Sequence, residues 1–168
     1  MLLFMIILSL TLQPGLSKPQ PKPEPKPTPP PEPCVKTVEK SRYYIFYNRH
    51  LNYGIPKNVN IGKWQKFIKC WDRGIQSFFP KADHETVESV CSAGGKRYKN
   101  NLCISKKRMK FYTAYVDIEN KKVMEVKEMN QHVILACDKI ETLNKCLPVH
   151  FQPNIKDAIP GIKAPNCS

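Results

Sequence analysis

The stretch of sequence that decides the fold covers residues 132–152 and is HVILACDKIETLNKCLPVHFQ. Its first six residues are mostly β-branched or other apolar side chains, which is typical of a buried strand. A short polar connection follows, and residues 147–151 form a second segment with strand character. The pattern therefore predicts two neighbouring strands, the second of which carries His150 between apolar residues.

The segments before these strands change from helical to strand-like periodicity. Aromatic residues and His50 recur at helical spacing over residues 38–51, which predicts a first helix. An apolar stripe predicts a second helix over residues 61–75, and Asp83 can cap a third over residues 82–90. The remaining predictions are a loop over residues 91–101 and strands over residues 111–116 and 121–126. Helices followed by antiparallel strands predict an α+β domain.

Two N-terminal segments differ in composition from this domain. Residues 1–17 contain an apolar run that is too short to span a bilayer and ends in small residues, which predicts a secretory signal peptide. Residues 18–33 are so rich in proline that they predict a disordered, extended arm. The folded domain is then expected over residues 34–152, with an irregular tail over residues 153–168. This organisation predicts a secreted, extracellular protein.

Seven cysteines in a short, exported chain predict a disulfide framework. Because the number is odd, at least one thiol is expected to be free or to pair with a cysteine of another chain. The cysteines lack the CxxC spacing of zinc sites, so we expect neither a metal nor a cofactor.

The formal net charge of +13 predicts a partner of opposite charge. RNA, heparin-like sugars and anionic membrane surfaces are the polyanions that such a field attracts. A surface that serves only solubility is the alternative interpretation. Several catalytic motifs are absent: Gly94–Arg97 lacks the spacing of a phosphate-binding P-loop, and neither GxSxG nor HExxH occurs.

What remains is a pair of histidines in distinctive surroundings, and here the chain resembles the pancreatic-type ribonucleases. The resemblance rests on the Phe-x-x-x-His pattern that ends at His50, on residues 132–137 and on the Pro-Val-His-Phe motif at residues 148–151. It extends over residues 43–152. It implies three helices packed on a curved antiparallel sheet, and a Cys91–Cys137 disulfide.

The resemblance also implies a chemistry that needs two histidines. RNA carries its own nucleophile, the 2′-OH, so cleavage needs a base for that proton and an acid for the 5′-oxygen leaving group. Imidazole suits both roles because it titrates near neutral pH. By resemblance His50 is the base and His150 the acid.

The third catalytic element of the family departs from its signature, Cys-Lys-x-x-Asn-Thr-Phe. If Phe78 occupies the Phe position, Arg73 replaces the charge-stabilising Lys and Ser77 the base-reading Thr. If Phe79 occupies it, Gly74 replaces the Lys and the cation is lost. Both alignments stay open at this point.

These observations leave two functions of different classes. One is a ribonuclease with weakened activity, in which His50, His150 and Arg73 are catalytic. The other is a non-catalytic cationic effector on the same fold, either an antimicrobial protein or a ligand of a receptor or sperm surface. A growth-factor-like ligand is a third, and it predicts no cleft between the histidines. The residues expected to bind RNA or another polyanion are Arg49, Ser77, Lys96, Arg97, Lys99, Lys106, Lys107 and Arg108.

Overall fold

The computed structural model describes residues 32–51 and 54–168. The predicted signal peptide and nearly all of the predicted proline-rich arm lie outside the described residues. The helices are α1 (Lys40–His50), α2 (Ile61–Phe67) and α3 (His84–Ser89). The strands are β1 (Thr37–Val38), β2 (Ile75–Phe78), β3 (Gly95–Arg97), β4 (Leu102–Ser105), β5 (Met109–Asp117), β6 (Lys122–Gln131), β7 (Ile134–Ile140) and β8 (Lys145–Gln152). The α+β class is confirmed.

The strands form two sheets. In the five-stranded sheet, β8 pairs along the whole of β7, while β4 and β1 pair with successive parts of its other edge and β3 lies outside β4. The second sheet has three strands in the order β2-β5-β6. The strands of the expected curved sheet are divided between these two sheets, and all pairs are antiparallel except the short pair of β1 with β7. Among the described residues, none of the helices has the length and hydropathy needed to cross a bilayer.

The hydrophobic core joins α1 to the two sheets. Phe79, Phe111 and Phe151 pack with ring centroids 5.0–5.9 Å apart, and Phe46 of α1 is buried in the same cluster. Such aromatic packing fixes the distance between α1 and β8 more firmly than aliphatic contacts alone would. As a result, the C-terminal end of α1 is held against β2 and β8.

The second predicted helix is wrong over its C-terminal half. Asn60 caps its start, with Oδ1 accepting from the backbone N–H of Lys63 at 3.0 Å, but α2 ends at Phe67 and not at residue 75. The side-chain amide of Gln76 donates to the backbone carbonyl of Cys70 at 2.8 Å and closes a turn. Ile75 then begins β2, which pairs with β5. Part of the apolar stripe therefore reflects burial in a turn and a strand and not helical periodicity.

The predicted loop over residues 91–101 contains β3, and β4 follows it. A side chain at Gly95 would collide with the backbone carbonyl of Val90, so only glycine allows β3 to pass this close to the end of α3. Short strands with charged residues, such as β3, carry little apolar periodicity. They form here because β4 offers a paired edge.

All seven cysteines lie in the described part of the chain. They form the disulfides Cys34–Cys146, Cys91–Cys137 and Cys103–Cys167, and Cys70 is an exposed free thiol. The first ties the N-terminal segment to β8, and the third ties the C-terminal tail to β4. Each native disulfide typically contributes about 2–4 kcal/mol to stability.

Candidate active site

His50 is the last residue of α1 and is only 5% exposed. Its Nδ1 lies 2.8 Å from the backbone carbonyl of Ser77, and its own carbonyl accepts from the backbone N–H of Phe79. The rings of Phe46 and Phe151 pack against the imidazole at centroid distances of 4.9 and 5.5 Å. A carbonyl can only accept, so Nδ1 carries the proton and donates it. In the neutral imidazole Nε2 is then the basic nitrogen.

Burial lowers the pKa of His50 to about 3. The hydrogen bond to Ser77 opposes this shift, while the positive charges of Arg73, His150 and Arg49 add to it. His50 is therefore neutral throughout the physiological range, as a general base must be. The same interactions place His50 in one electrostatic environment with His150 and the two arginines.

His150 lies on β8 opposite Ala136, next to an irregularity in the β7–β8 register. Its side chain is exposed, unlike that of His50. Partial burial lowers the pKa of His150, and the charges of Arg73 and Arg49 lower it further. The two histidines thus share the same neighbouring cations although 100 positions separate them in the sequence.

An acidic residue that the sequence analysis missed links the two arginines. Asp72 Oδ2 lies 3.0 Å from Nη2 of Arg49, and its Oδ1 lies 3.4 Å from Nε of Arg73. Partial burial raises the pKa of Asp72, but the Cys70 thiol and the two arginines outweigh this and lower it. Of the two residues left open above, Arg73 places a positive charge that acts on both histidines, whereas Gly74 carries no charge. That Arg73 replaces the family lysine stays a prediction.

Two cavities border this site. One, of about 320 Å³, is lined by Ser77, Thr113 and Phe151 among others, and the Ser77 and Thr113 hydroxyls lie 3.0 Å apart. The other, of about 120 Å³, is lined by Arg49 and Arg73 together with residues of the turn after α2. Thr113 was also missed by the sequence analysis, because only the β2–β5 register places it opposite Ser77.

The predicted polyanion-binding cations lie at three places: Arg49 on α1, three residues in or just after β3, and residues 106–108 just after β4. Three of these cations have acidic partners: Arg49 with Asp72 at 3.0 Å, Arg97 with Glu32 at 2.8 Å and Arg108 with Asp157 at 3.1 Å. Lys106, Lys107 and Arg108 line a larger cavity of about 550 Å³ next to α3, which includes neither histidine. We place the candidate site at the histidines, because there a buried imidazole interacts electrostatically with a second imidazole and with two arginines.

The cysteine sulfurs that lie close together are disulfide sulfurs and not free thiols. Two groups of three cysteine sulfurs lie within 4.8 Å of one another, and all of these sulfurs belong to disulfides. A disulfide sulfur is not the thiolate that metals bind.

The low pKa of His50 predicts a loss of stability in acid. Below pH 6.5, the ordinary imidazole pKa, the unfolded chain binds a proton at His50, whereas the folded chain binds it only near pH 3. The free energy of unfolding therefore falls across this window. Between pH 7 and pH 5 we expect His50 to account for a loss of about 2 kcal/mol in the free energy of unfolding. Urea denaturation at both pH values measures it.

The control for this prediction is His132, whose Nδ1 also lies 2.8 Å from a backbone carbonyl, that of Ser105. His50→Asn should reduce the loss between pH 7 and pH 5, whereas His132→Asn should leave it close to that of the wild type. Equal losses in both variants would contradict the assignment of the acid sensitivity to His50.

The sequence matches no protein-family model and no curated protein. Solved structures, in contrast, share the fold. Green turtle egg white ribonuclease is similar with a TM-score of 0.54 and 18% identity, over 68% of this chain and 98% of the other. SS-RNase-2 des116-120 is similar with a TM-score of 0.51 and 21% identity, over 67% of this chain and 97% of the other. RNase ZF-1A is similar with a TM-score of 0.50 and 17% identity, over 69% of this chain and 93% of the other.

Proposed function

We propose that this chain, which has the fold of the ribonuclease A-like proteins, binds RNA across the candidate site and cleaves it by transphosphorylation. The observation that carries the proposal is the placement of His50. It is neutral, its Nδ1 is fixed on a backbone carbonyl, and it interacts electrostatically with His150 and Arg73. A buried base, a second imidazole and a cation are the groups that this reaction requires.

Each residue then has one role in the reaction. Nε2 of His50 accepts the proton of the 2′-OH, whose oxygen attacks the adjacent phosphorus. His150 donates a proton to the departing 5′-oxygen, so that a 2′,3′-cyclic phosphate and a free 5′-OH are formed. Arg73 stabilises the negative charge of the phosphorane with its guanidinium. Arg49 binds a non-bridging phosphate oxygen, and both arginines release Asp72 when the phosphate enters.

We assign the cavity of about 320 Å³ to the base of the nucleotide that carries the attacking 2′-OH, whose 3′-phosphate is cleaved. Aromatic residues, Phe111, Tyr115 and Phe151, line this cavity, so that a base of any kind can pack against an apolar wall. The Ser77 and Thr113 hydroxyls can each donate or accept. This pair can therefore hydrogen-bond to either donors or acceptors on the edge of a base and sets no fixed base preference.

The pKa values set the expected pH dependence of kcat/KM. The base must be unprotonated, which holds above about pH 3 for His50. The acid must be protonated, which holds below a pKa of His150 that lies under its ordinary value. We therefore expect a bell-shaped profile with its maximum on the acidic side of the ordinary imidazole value of about 6.5.

The experiment that tests the proposal compares two substrates that differ in one oxygen. Purified protein should cleave an oligoribonucleotide and release a 2′,3′-cyclic phosphate, which mass spectrometry detects. It should not cleave the same oligonucleotide with a 2′-deoxyribose at the cleavage point, because the nucleophile is absent. Cleavage of both substrates at equal rates would indicate a contaminating nuclease and refute the proposal.

RNA binding should depend strongly on salt. Each phosphate neutralised on a single strand contributes about −0.7 to the slope of log affinity against log salt, so about four contacts predict a slope near −3. Fluorescence anisotropy with the 2′-deoxy oligonucleotide measures binding without cleavage. Lys107→Gln should make the slope less negative by about 0.7 if Lys107 contacts a phosphate. A slope near zero would contradict electrostatic binding.

A further inference from the structure

The C-terminal tail contains two turns that carry the same pair of residues at their corners. Ile155 and Lys156 lie between the Asn154 carbonyl and the Asp157 N–H, which are 3.2 Å apart. In the same way, Ile162 and Lys163 lie between the Gly161 carbonyl and the Ala164 N–H, which are 3.1 Å apart. We call the two corners, residues 155–156 and 162–163, the Ile-Lys corners.

The fold holds the tail that carries these corners. The buried side chain of Asn154 donates to the carbonyls of His132 and Ala158, both at 2.9 Å, and accepts from the N–H of Ala158 at 2.8 Å. At the far end the Cys103–Cys167 disulfide is buried. The tail therefore presents its corners from fixed ends, although it contains neither a helix nor a named strand.

The isoleucines at the corners are almost entirely outside the hydrophobic core. Ile155 is 90% exposed and Ile162 is 97% exposed, and Ile159 between them is also exposed. Turn corners favour Gly, Pro, Asn, Asp and Ser, each for a conformational reason that isoleucine does not share. Three exposed isoleucines within residues 155–162 are more than the single exposed apolar residues that are normal on a surface, and such a grouping points to a contact with another molecule.

We propose that the Ile-Lys corners bind an anionic membrane surface, with the isoleucines inserted among the lipids and the lysines at the headgroups. Charge complementarity argues for this partner. A lysine follows each corner isoleucine, and Arg108, which pairs with Asp157 between the corners, continues the basic run that begins at Lys106. Apolar residues beside lysines are the combination that holds proteins at anionic bilayer interfaces.

Rigid corners suit this role because little conformational freedom is lost on binding. RNA explains the lysines but not the isoleucines, since an aliphatic side chain offers neither a stacking ring nor a hydrogen bond to a base. Ile155 also borders the cavity of about 320 Å³, so the test uses lipid alone, without RNA. The inference therefore stands or falls independently of the proposed cleavage.

The test is co-sedimentation with phospholipid vesicles. The protein should bind vesicles of phosphatidylcholine and phosphatidylglycerol and bind much less to phosphatidylcholine alone. Ile155→Ser/Ile162→Ser should weaken binding to the anionic vesicles at least about tenfold, because the apolar insertion is lost. The matched control is Ile118→Ser/Met124→Ser, which removes one apolar residue in the β5–β6 turn and one on β6, 44% and 55% exposed. It should bind like the wild type.

A second pair of variants separates insertion from simple charge attraction. Lys156→Gln/Lys163→Gln should weaken binding to anionic vesicles and leave the low affinity for neutral vesicles unchanged. The proposal is overturned if the wild type does not bind anionic vesicles or if the isoleucine double variant binds as tightly as the wild type. It is also overturned if the Ile118/Met124 control loses as much affinity. Binding by charge alone would leave the isoleucine double variant as tight as the wild type. Corners that serve a protein partner would leave the wild type without affinity for the vesicles.

Discussion

Replacing either His50 or His150 by alanine should lower kcat/KM for RNA cleavage by about 10²–10⁴-fold. The two imidazoles act on one transition state, one removing the 2′-OH proton while the other protonates the leaving oxygen. Without His50 the 2′-OH must lose its proton to water, and without His150 the 5′-oxygen must leave as an alkoxide. Initial rates with a dinucleotide substrate measure both effects.

The matched control for these variants is His132→Ala. His132 lies just before β7, and its hydrogen bond to a backbone carbonyl has the same length as that of His50. However, His132 lines neither of the two cavities that border the candidate site. Its replacement should leave the rate near that of the wild type. The His50/His150 double variant should be little slower than the worse single variant, because the two groups work as a unit.

The result that would refute the enzyme is a wild type that cleaves RNA no faster than His150→Ala. The two histidines would then be structural, and the non-catalytic cationic effector would be the better description of the chain. Burial of His50 alone does not decide this, because a buried neutral histidine with one hydrogen bond also stabilises a core. Only the dependence of the rate on both imidazoles separates the two functions.

Sequence reasoning succeeded where one local pattern carries the structure. The face of α1 that ends in His50 is periodic, and the run that becomes β7 is continuously apolar, so their burial is visible without tertiary information. The second helix failed at Ile75, because an apolar residue at helical spacing is equally compatible with the start of a strand. Whether residues 68–78 extend α2 or form β2 depends on pairing with β5.

The candidate site divides in the same way. The histidines were found by motif, whereas Asp72 and Thr113 were missed because their importance arises from what the fold places beside them. The disulfides Cys34–Cys146 and Cys103–Cys167 could not be predicted either, since each joins segments far apart in the sequence. Residue type and spacing identify the chemistry, and tertiary pairing decides which neighbours tune it.

Arg73→Ala should lower kcat/KM by about 10²–10³-fold, which is the usual cost of removing one stabiliser of transition-state charge. Arg73 is the residue that we propose in place of the family lysine, and its charge acts on both histidines. Arg73→Lys should restore part of the rate, because the charge returns without the planar fork. Lys127→Ala removes an equal charge from an ion pair with Glu125 on β6 and serves as the control.

The pH profile makes the Arg73 prediction specific. The positive charge of Arg73 lowers the pKa of both His50 and His150, so its removal should raise both values and move the maximum of kcat/KM to higher pH. A residue that only supports the turn after α2 would reduce the rate without this upward movement. A loss of less than about tenfold would mean that Arg73 does not stabilise the phosphorane. A loss of about 10²–10³-fold in kcat/KM with an unchanged pH of the maximum would mean that the charge of Arg73 does not act on the histidines. The proposal that Arg73 and the two histidines interact electrostatically would then be wrong.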